Sequence, residues 1–308
     1  MQKNFINLRD FTAGQLGKLL DRAIAEKTLF AQGKLPATLQ RRTLAMIFEK
    51  PSLRTRVSFE AAMTHLGGHA IYLTREDIGL GSREAVQDIA RVLGRLCDGI
   101  MARTFSHRFV EDLGRYTTVP VVNALTDYSH PCQAMADLMT VREHFGELAG
   151  RKLVFVGDGN NVARSLAEAG RMLGVHVVLA CPKGYELEDE FVASLESIEG
   201  AGSFATCNDP AGAVADADVI YTDTWVSMGQ EAEKEKRVRD FAAFQVNPAL
   251  LAQAPARAIV LHCLPAYRGF EIDDDAFEAH AQTILAEAEN RLHFQRALLN
   301  ALIGDGGI

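Results

Sequence analysis

Apolar strand-like runs alternate with amphipathic helix-like stretches along most of this 308-residue chain. One continuous apolar run ends at Phe48, and another stretch typical of a buried strand covers Lys152 to Val156. The stretch after the first run carries Val57, Phe59, Ala62, Met63 and Leu66 at helical spacing and stops at Gly67-Gly68. Because strands that alternate with helices indicate βαβ units, we predict an α/β fold with open parallel sheets.

The length of the chain suggests two domains. We predict that both are open parallel-sheet α/β domains, covering 1–135 and 136–308. A helix from about Pro131 to Phe145 should bridge them, and the C-terminal helix, about 285–303, should pack back on the first domain. The predicted strands are 43–48, 69–73, 99–102, 119–123, 152–156, 176–180, 217–222 and 258–264. The other predicted helices are 12–30, 84–96, 108–115, 161–173, 188–197 and 283–302.

Composition and charge exclude several classes of partner. The net charge is −8 and the pI is about 5.6, which argues against nucleic acid or an anionic membrane as the main partner. No apolar run is long enough to cross a membrane, and the N-terminus lacks the pattern of a signal peptide. The five cysteines are odd in number and widely spaced, which favours free thiols in a reducing compartment, so we expect a cytoplasmic protein.

The turn after the first strand concentrates positive charge where a helix should begin. Ser52 is the predicted N-cap, and Arg54 and Arg56 fall in the first helical turn. Arginine is unfavourable there unless an anion is bound, because a helix N-terminus already carries partial positive charge. Together with the hydroxyl of Thr55, these groups predict a cradle for a phosphate or carboxylate. The alternative is a solvated basic turn that pairs with nearby acids.

Further polar residues stand at predicted strand ends of the first half. Arg103 ends the third strand, while His130 and Gln133 open the bridging helix. Ligands of open α/β sheets bind beyond the carboxyl ends of the strands, so these side chains should share a rim with the Ser52 turn. His130 could polarise a carbonyl oxygen, although a capping role in the helix is an alternative.

The second half begins with a glycine-containing turn, Gly157-Asp158-Gly159-Asn160-Asn161. This turn resembles a dinucleotide fingerprint without its third glycine, and the next strand ends in Ala180-Cys181-Pro182 rather than in an acid. The pattern therefore gives little support to NAD binding. Asn161 could instead hold a carboxylate.

Three later positions are candidates for binding. Asp223 follows a predicted strand and could receive an ammonium group, and the charged segment after it is either a solvated loop or a lid. His262-Cys263-Leu264-Pro265 ends another strand. Neighbouring strand residues point to opposite faces, so His262 and Cys263 should not contact each other, and Pro265 should keep Leu264 extended. Arg291, near the start of the last predicted helix, is one more possible anion ligand.

Four motifs occur together and in order: Ser52-x-Arg54-Thr55-Arg56, His130-Pro131-Cys132-Gln133, Asp223-x-x-x-Ser227-Met228-Gly229 and His262-Cys263-Leu264-Pro265. With them the chain resembles the aspartate/ornithine transcarbamoylase family over nearly its whole length. The first motif is shared by the family, and the Ser227-Met228-Gly229 and Cys263-Leu264-Pro265 motifs are similar to its ornithine branch. Leu53 departs from the family pattern, in which many members carry threonine.

The resemblance implies an enzyme that transfers the carbamoyl group of carbamoyl phosphate to the δ-amine of L-ornithine, giving citrulline and phosphate, in arginine biosynthesis. It assigns carbamoyl phosphate to Ser52, Leu53, Arg54, Thr55, Arg103, His130, Gln133, Cys263, Leu264 and Arg291. It assigns ornithine to Asn161, Asp223, Ser227 and Met228. Arg54, Arg103, His130 and Cys263 would act in the transfer itself.

The resemblance also implies a homotrimer in which the segment from Thr74 to Glu84 reaches toward a neighbouring subunit, and it implies no metal and no organic cofactor. The nearest alternatives are transcarbamoylases for aspartate, N-acetylornithine or putrescine. Asp223 argues against aspartate, and Asn161 with Ser227-Met228 favours an amino acid over putrescine. An NAD-dependent oxidoreductase and a non-catalytic anion-binding regulator are alternatives from other classes.

Overall fold

Two parallel sheets organise the computed structural model, which describes residues 3–79, 84–227 and 229–304. The chain divides into two compact units, the first formed by 1–139 with 290–308 and the second by 140–289. Each unit contains one of the sheets. The fold is therefore two open parallel-sheet α/β units, as the alternation of strands and helices predicts.

The first unit has a four-stranded sheet in the order β2-β1-β3-β4. Its strands are β1 (Thr43–Phe48), β2 (His69–Thr74), β3 (Gly99–Arg103) and β4 (Val121–Leu125). Its helices are α1 (Ala13–Ala31), α2 (Leu53–His65), α3 (Arg75–Ile78), α4 (Val86–Leu96), α5 (His107–Tyr116) and the first part of α6 (Pro131–Phe145). Phe48 pairs with Arg103 across β1 and β3, so the Ser52 turn and Arg103 leave the sheet at the same edge.

The second unit has a five-stranded sheet in the order β7-β6-β5-β8-β9. Its strands are β5 (Lys152–Val156), β6 (His176–Ala180), β7 (Ser203–Cys207), β8 (Val219–Thr222) and β9 (Ile259–His262). Its helices are α7 (Asn161–Leu173), α8 (Asp189–Ser194), α9 (Pro210–Val214), α10 (Lys234–Asp240), α11 (Pro248–Leu251) and most of α12 (Asp274–Leu299). Residues of α12 from Asn290 onward belong to the first unit, and a π-helical turn, Asn300–Gly304, follows.

Most predicted elements are present with small shifts at their ends, but the short helices α3, α9, α10 and α11 and one strand were not predicted, and the start of α12 differs more. Strand β7 was not predicted, because Ser203–Cys207 is an edge strand of small and polar residues that stays largely exposed. Helix α12 begins at Asp274 rather than near Thr283, since Asp273 accepts a hydrogen bond from the backbone of Ala276 and acids fill the first turn.

Several apolar side chains at helical spacing in the sequence are exposed. Val57 is 54% exposed because it lies about 200° around α2 from the buried Phe59. On α4, Val92 and Leu96 are 51% and 72% exposed although Ile89 is buried. Leu29, near the end of α1, is 37% exposed. Periodicity therefore locates the helices but does not by itself tell which apolar positions reach the core.

Within the described residues, no helix is both long enough and apolar enough to cross a membrane.

Candidate active site

The turn between β1 and α2 has the geometry of an anion cradle. Ser52 is the N-cap, and its Oγ accepts a hydrogen bond from the backbone of Thr55 at 3.2 Å. The other backbone N–H groups of the first turn lie at a helix start, where anions are favoured. Leu53 is 74% exposed, and its side chain contributes no polar group, so only its backbone can serve as a donor.

Two guanidinium groups converge on the hydroxyl of Thr55. Arg291 Nη2 donates to Thr55 Oγ1 at 3.1 Å, and Arg103 Nη1 lies 3.3 Å from the same oxygen. Thr55 and Arg291 are almost fully buried. Arginine forks of this kind suit the oxygens of a phosphate. Arg291 lies well inside α12 and is 3% exposed, so its predicted place near the helix start was wrong.

Gln133 is held from both sides by other residues of the first unit. Its Nε2 donates to Asp137 Oδ1 at 2.7 Å, and its Oε1 accepts from Arg291 Nη1. Asp137 is fully buried one helical turn further along α6. This chain of contacts fixes the orientation of the Arg291 fork.

His130 lies immediately before α6 and is 4% exposed. Burial lowers its pKa well below the usual value, and the charges of Arg291 and Arg103 lower the pKa further. The imidazole is therefore neutral at pH 7 and can donate one hydrogen bond to a carbonyl oxygen without carrying charge.

The two arginines of the first helical turn do not share one role. Arg56 is exposed, pairs with Glu60 at 2.9 Å and stacks over the ring of Tyr72. The prediction that Arg56 joins the cradle was therefore wrong, and for this residue the solvated alternative is the right one. Arg54 is half-buried on the same turn.

In the second unit, the carboxylate of Asp223 is surrounded by neutral donors. Asn160 Nδ2 donates to its Oδ2 at 2.7 Å, and the backbone of Thr224 donates to its Oδ1 at 2.7 Å. The thiol of Cys263 also donates to Oδ1, at 3.0 Å. Asp223 is 7% exposed, and none of these partners in the described part of the chain carries a positive charge, so the group is well suited to an ammonium ion.

The glycine-containing turn after β5 is shaped by packing. A side chain on Gly159 would meet the backbone of Tyr185 and Leu187 at less than 3 Å. Asn160 caps α7 through bonds from Val162 and Ala163 while its amide reaches Asp223. Asn161 is the half-buried first residue of α7. The turn thus places Asn161 and Asp223 at one edge of the second sheet.

His262 and Cys263 have different hydrogen-bond partners. Cys263 lies just past the end of β9, and ligand atoms of the two residues come within 4.8 Å of each other, so the alternation of strand faces on which their predicted separation depends does not apply here. His262 Nε2 lies 3.1 Å from Glu271 Oε1, and its Nδ1 accepts from the backbone of Leu264 at 2.9 Å. This contact holds Leu264 at φ 58°, so the prediction of an extended Leu264 was wrong. The His262–Glu271 pair is fully buried and fixes the backbone that carries Cys263.

The motif around Ser227 is only partly described. Ser227 is half-buried, and its backbone donates to Gln230 Oε1 at 3.1 Å. Met228 lies outside the described residues, as do residues 80–83 of the segment predicted to reach another subunit.

One group of side chains in the described chain could hold a metal ion. Ligand atoms of Asp223, His262 and Cys263 lie within 4.8 Å of one another, and such a donor set suits zinc. However, Nδ1 of His262 already accepts from Leu264, and Nε2 faces Glu271. The imidazole therefore offers no available lone pair, and the arrangement favours a substrate site at Asp223.

Four residues that position side chains of the candidate site were not predicted from the sequence: Asn160, Asp137, Asp158 and Arg237. Arg237 of α10 donates to Asp158 Oδ2 at 2.8 Å, to the carbonyl of Trp225 at 3.0 Å and to Glu233 at 2.9 Å. Burial raises the pKa of Asp158, and the charge of Arg237 opposes that rise. Spacing could have indicated Asp137, one turn after Gln133, but the partners of Asp158 are distant in sequence.

The fold and the two sets of side chains define a two-unit α/β protein that has a cradle for an anion in one unit and an acid for an ammonium in the other. The model of the aspartate/ornithine carbamoyltransferase carbamoyl-P binding domain matches residues 3–143, and that of the Asp/Orn binding domain matches 149–302. The chain therefore belongs to the aspartate/ornithine carbamoyltransferase family.

Individual relatives match over almost the full length. The anabolic ornithine carbamoyltransferase of Pyrococcus furiosus is 50% identical over 98% of this chain and 96% of its own. The ornithine carbamoyltransferase of Anoxybacillus flavithermus is 48% identical over the same shares. The solved P. furiosus structure has a TM-score of 0.93 at 49% identity, covering 98% of this chain and 97% of that one. A mitochondrial ornithine carbamoyltransferase from Coccidioides immitis has a TM-score of 0.91 at 34% identity, covering 99% and 98%.

Proposed function

We propose that this chain transfers the carbamoyl group of carbamoyl phosphate to the δ-amine of L-ornithine, giving citrulline and phosphate. The observation that carries the proposal is the convergence of Arg103 and Arg291 on the hydroxyl of Thr55 at a helix N-terminus. That arrangement suits a phosphate dianion. Relatives that share about half of the sequence are named ornithine carbamoyltransferases, one of them anabolic, which supports a place in arginine biosynthesis.

In this proposal the first unit binds carbamoyl phosphate. Ser52, Leu53, Arg54, Thr55, Arg103, Arg291 and Gln133 surround it, the guanidinium groups holding the phosphate. The neutral imidazole of His130 donates to the carbamoyl oxygen, on which negative charge develops as the amine adds. The assignment of Cys263 and Leu264 to the same substrate stays a prediction.

The second unit binds ornithine in this proposal. Asp223 receives an ammonium group, as its uncompensated carboxylate allows. Asn161, Ser227 and Met228 hold the remaining polar groups of the amino acid. An acid at this position disfavours aspartate as the acceptor, because a second carboxylate would be repelled.

The transfer itself needs a neutral amine. An unperturbed alkylamine has a pKa near 10.4 and is mostly charged at neutral pH, so the δ-amine must lose a proton before it reacts. Its lone pair then forms the new C–N bond, the carbamoyl C–O bond to phosphate breaks, and the phosphate leaves with the electron pair. The nitrogen of the new C–N bond gives up a second proton, which the departing phosphate takes, so that citrulline is left neutral at that nitrogen. The rest of the rate acceleration comes from positioning two small substrates next to each other.

We also propose that the protein is a cytoplasmic homotrimer. All five cysteines lie among the described residues, and none is in a disulfide, which fits a reducing compartment. The first unit exposes apolar side chains on α2 and on edge strand β2, among them Val57 and Ile71. Such surfaces are typical of contacts between subunits.

Citrulline formation tests the proposal. Carbamoyl phosphate is offered with ornithine, N-acetylornithine, putrescine or aspartate under the same conditions. Turnover with ornithine alone is the expected result. Turnover with another acceptor would overturn the role of Asp223, and tight binding of carbamoyl phosphate with no turnover would favour a non-catalytic regulator.

A further inference from the structure

His262 is held at the end of β9 without help from its side chain. It pairs with Thr222 of β8, and its backbone N–H donates to Glu287 Oε2 of α12 at 2.7 Å. Both contacts use the backbone of His262 alone. The buried imidazole ring is therefore not needed to hold the strand, and its own contacts concern the residues that follow.

The hydrogen bonds of the ring assign it to one tautomer. A backbone N–H can only donate, so the N–H of Leu264, 2.9 Å from Nδ1, requires a lone pair on that nitrogen. The proton of the ring is then on Nε2, which lies 3.1 Å from Glu271 Oε1. The carboxylate accepts this hydrogen bond and thereby selects the tautomer in which Nδ1 can accept.

Leu264 has φ 58°, in the left-handed region that a leucine side chain disfavours. A residue keeps such a conformation only where surrounding contacts hold it. The hydrogen bond from its N–H to His262 Nδ1 is a contact of this kind. Without that acceptor we expect Leu264 to relax toward the extended region, which turns the peptide group between Cys263 and Leu264.

The thiol of Cys263 depends on the orientation of that peptide group. Asp223 and Cys263 directly follow the paired residues Thr222 and His262, so their side chains leave adjacent strands at one edge of the sheet. Cys263 Sγ donates to Asp223 Oδ1 at 3.0 Å. A rotation of the Cys263 backbone would break this bond.

We propose that His262 and Glu271 are positioning residues of the candidate active site. Glu271 selects the tautomer of the ring, the ring holds Leu264, and Leu264 in turn fixes the thiol of Cys263 against Asp223. Both members of the pair are fully buried, so they act through Cys263 and touch no substrate. The inference rests on the proposed function, because its measured consequence is the binding of ornithine next to Asp223.

Two substitutions at His262 separate the two hydrogen bonds of the ring. In His262→Asn the amide oxygen falls near the position of Nδ1 and still accepts from Leu264, but the donor to Glu271 is lost. In His262→Gln the longer side chain still donates to Glu271 but leaves Leu264 without its acceptor. At saturating carbamoyl phosphate, KM for ornithine should rise about fivefold in His262→Gln and no more than about twofold in His262→Asn. Equal increases in the two variants would overturn the proposal.

Loss of stability alone predicts the opposite order, because His262→Asn leaves the buried carboxylate of Glu271 without its donor. Melting temperatures of both variants establish this comparison. The matched control is His176→Gln. His176 is half-buried at the amino end of β6, away from the edge that carries Asp223, and its Nδ1 lies 2.9 Å from Ser203 Oγ. This control should keep KM for ornithine within about twofold of the parent.

A double variant tests whether the ring acts through the thiol. Adding His262→Gln to Cys263→Ala should change KM for ornithine by less than about twofold, because the thiol that the ring positions is already absent. A role of His262 that is independent of Cys263 would instead multiply the two effects, to about 25-fold over the parent. That result would overturn the proposal.

The tautomer is measured without any substrate. Nitrogen-15 spectra of the full-length protein labelled at histidine should show an unprotonated Nδ1 and a protonated Nε2 for His262, whose signals are those missing from His262→Gln. A protonated Nδ1 in an enzyme that turns over ornithine would overturn the positioning pair and leave the proposed function standing. Absence of turnover with any acceptor would overturn the proposed function and with it the effect on ornithine, whatever the tautomer.

Two variants test the part played by Glu271 in the same spectra. Glu271→Gln keeps an oxygen that accepts from Nε2, so the signals of His262 should match those of the parent. Glu271→Leu removes the acceptor, so signals of the other tautomer should appear beside the first set. The other tautomer in Glu271→Gln, or an unchanged spectrum in folded Glu271→Leu, would overturn the selection of the tautomer by Glu271.

Discussion

Thr55 is the residue on which the proposed carbamoyl phosphate site depends most directly. Its hydroxyl meets both Arg103 and Arg291, so Thr55→Val removes their common partner while keeping the size of the side chain. We expect kcat/KM for carbamoyl phosphate to fall roughly 10- to 100-fold, because the forks lose their shared orientation. Steady-state kinetics with carbamoyl phosphate varied at saturating ornithine measures this.

A matched control for Thr55→Val lies on the same helix. Thr64 is exposed, and its hydroxyl donates only to the carbonyl of Glu60, one turn earlier in α2. Thr64→Val should leave both kinetic constants within about twofold of the parent, as is usual for a surface substitution. Equal losses in the two variants would contradict the role given to Thr55.

A substitution at Cys263 tests the proposed ornithine site by steady-state kinetics. Its thiol donates to Asp223 Oδ1 at 3.0 Å, next to the carboxylate that should receive an ammonium. Cys263→Ala should raise KM for ornithine about fivefold, the effect of one hydrogen bond, and should shift the pH profile of kcat. Cys97→Ala, which changes a half-buried thiol on the first unit, is the control. Unchanged kinetics in Cys263→Ala would remove the thiol from the mechanism.

Many residues of the candidate site could be predicted from the sequence, because polar and charged residue types stand at the ends of predicted strands. Ser52, Arg103 and Asp223 follow buried strands, and parallel strands bring such residues to one edge of a sheet. Arg291 had no such signal, because a helical arginine is normally exposed. The sequence did not single out Asn160, because its neighbour Asn161 was the residue predicted to hold a carboxylate, whereas Asn160 makes the bond to Asp223.

At the scale of elements, α10 is tied to the second sheet through one side chain. Arg237 joins this helix to Asp158 in the turn after β5 and to the carbonyl of Trp225 in the loop after β8. Both side chains of the ion pair are about nine-tenths buried. The position of α10 and the order of the Ser227 loop therefore depend on this pair.

Arg237→Met should loosen this connection. Loss of one partner leaves Asp158 buried without compensation, so we expect the free energy of unfolding to fall by about 3 kcal/mol. KM for ornithine should rise more than KM for carbamoyl phosphate, because the affected loop carries Ser227. Urea unfolding and two-substrate kinetics measure the two effects.

Two further variants decide whether the ion pair is responsible. Arg239→Met changes an exposed arginine of the same helix. This variant should lower neither the free energy of unfolding nor the affinity for ornithine. Adding Asp158→Asn to Arg237→Met should recover part of the lost stability, because the uncompensated charge is gone. Additive losses in the double variant would show that the two residues act independently.

The bounds of a helix or strand could be predicted where the residues of that element alone specify its secondary structure. Helices α6 and α7 and strands β1, β5 and β6 have the predicted bounds, since each has a clear apolar period or a capping residue. Strand β7 could not be found in this way, because its pairing with β6 compensates for a polar sequence. The exposure of Val92 and Leu96 on α4 likewise depends on tertiary packing that periodicity does not contain.

For the whole molecule, the proposed trimer can be tested on the exposed apolar surface of the first unit. Val57 is 54% exposed on α2, and Ile71 is 40% exposed on edge strand β2. Val57→Asp should shift the mass in light scattering from about three times 33.7 kDa toward the single chain, because a buried charge is costly at an interface. Leu285→Asp, at an exposed position of α12 in the second unit, is the control. An unchanged trimer in Val57→Asp would exclude this surface.

The stability of the whole molecule should also depend on the protonation of His130. Its pKa is lowered well below the usual value by burial and then by Arg291 and Arg103, whereas in the unfolded chain it returns to about 6.5. Below that pH the unfolded state takes up a proton that the folded state does not. The contribution of His130 is therefore fully present above pH 6.5 and is lost as the pH falls, by up to about 1.4 kcal/mol per pH unit.

Urea unfolding of the parent and of His130→Gln at fixed protein concentration isolates this contribution. The other histidines and the carboxylates are present in both proteins, so their pH dependence cancels in the difference. Between pH 8 and 7 the difference in unfolding free energy should be nearly constant, and below pH 6.5 it should move against the parent, by at most about 1.4 kcal/mol per pH unit. Parallel curves down to pH 5 would mean that folding does not lower the pKa of His130. The imidazole beside the two arginines would then take up a proton as the pH falls through its usual pKa, and the neutral donor to the carbamoyl oxygen would be lost over that range.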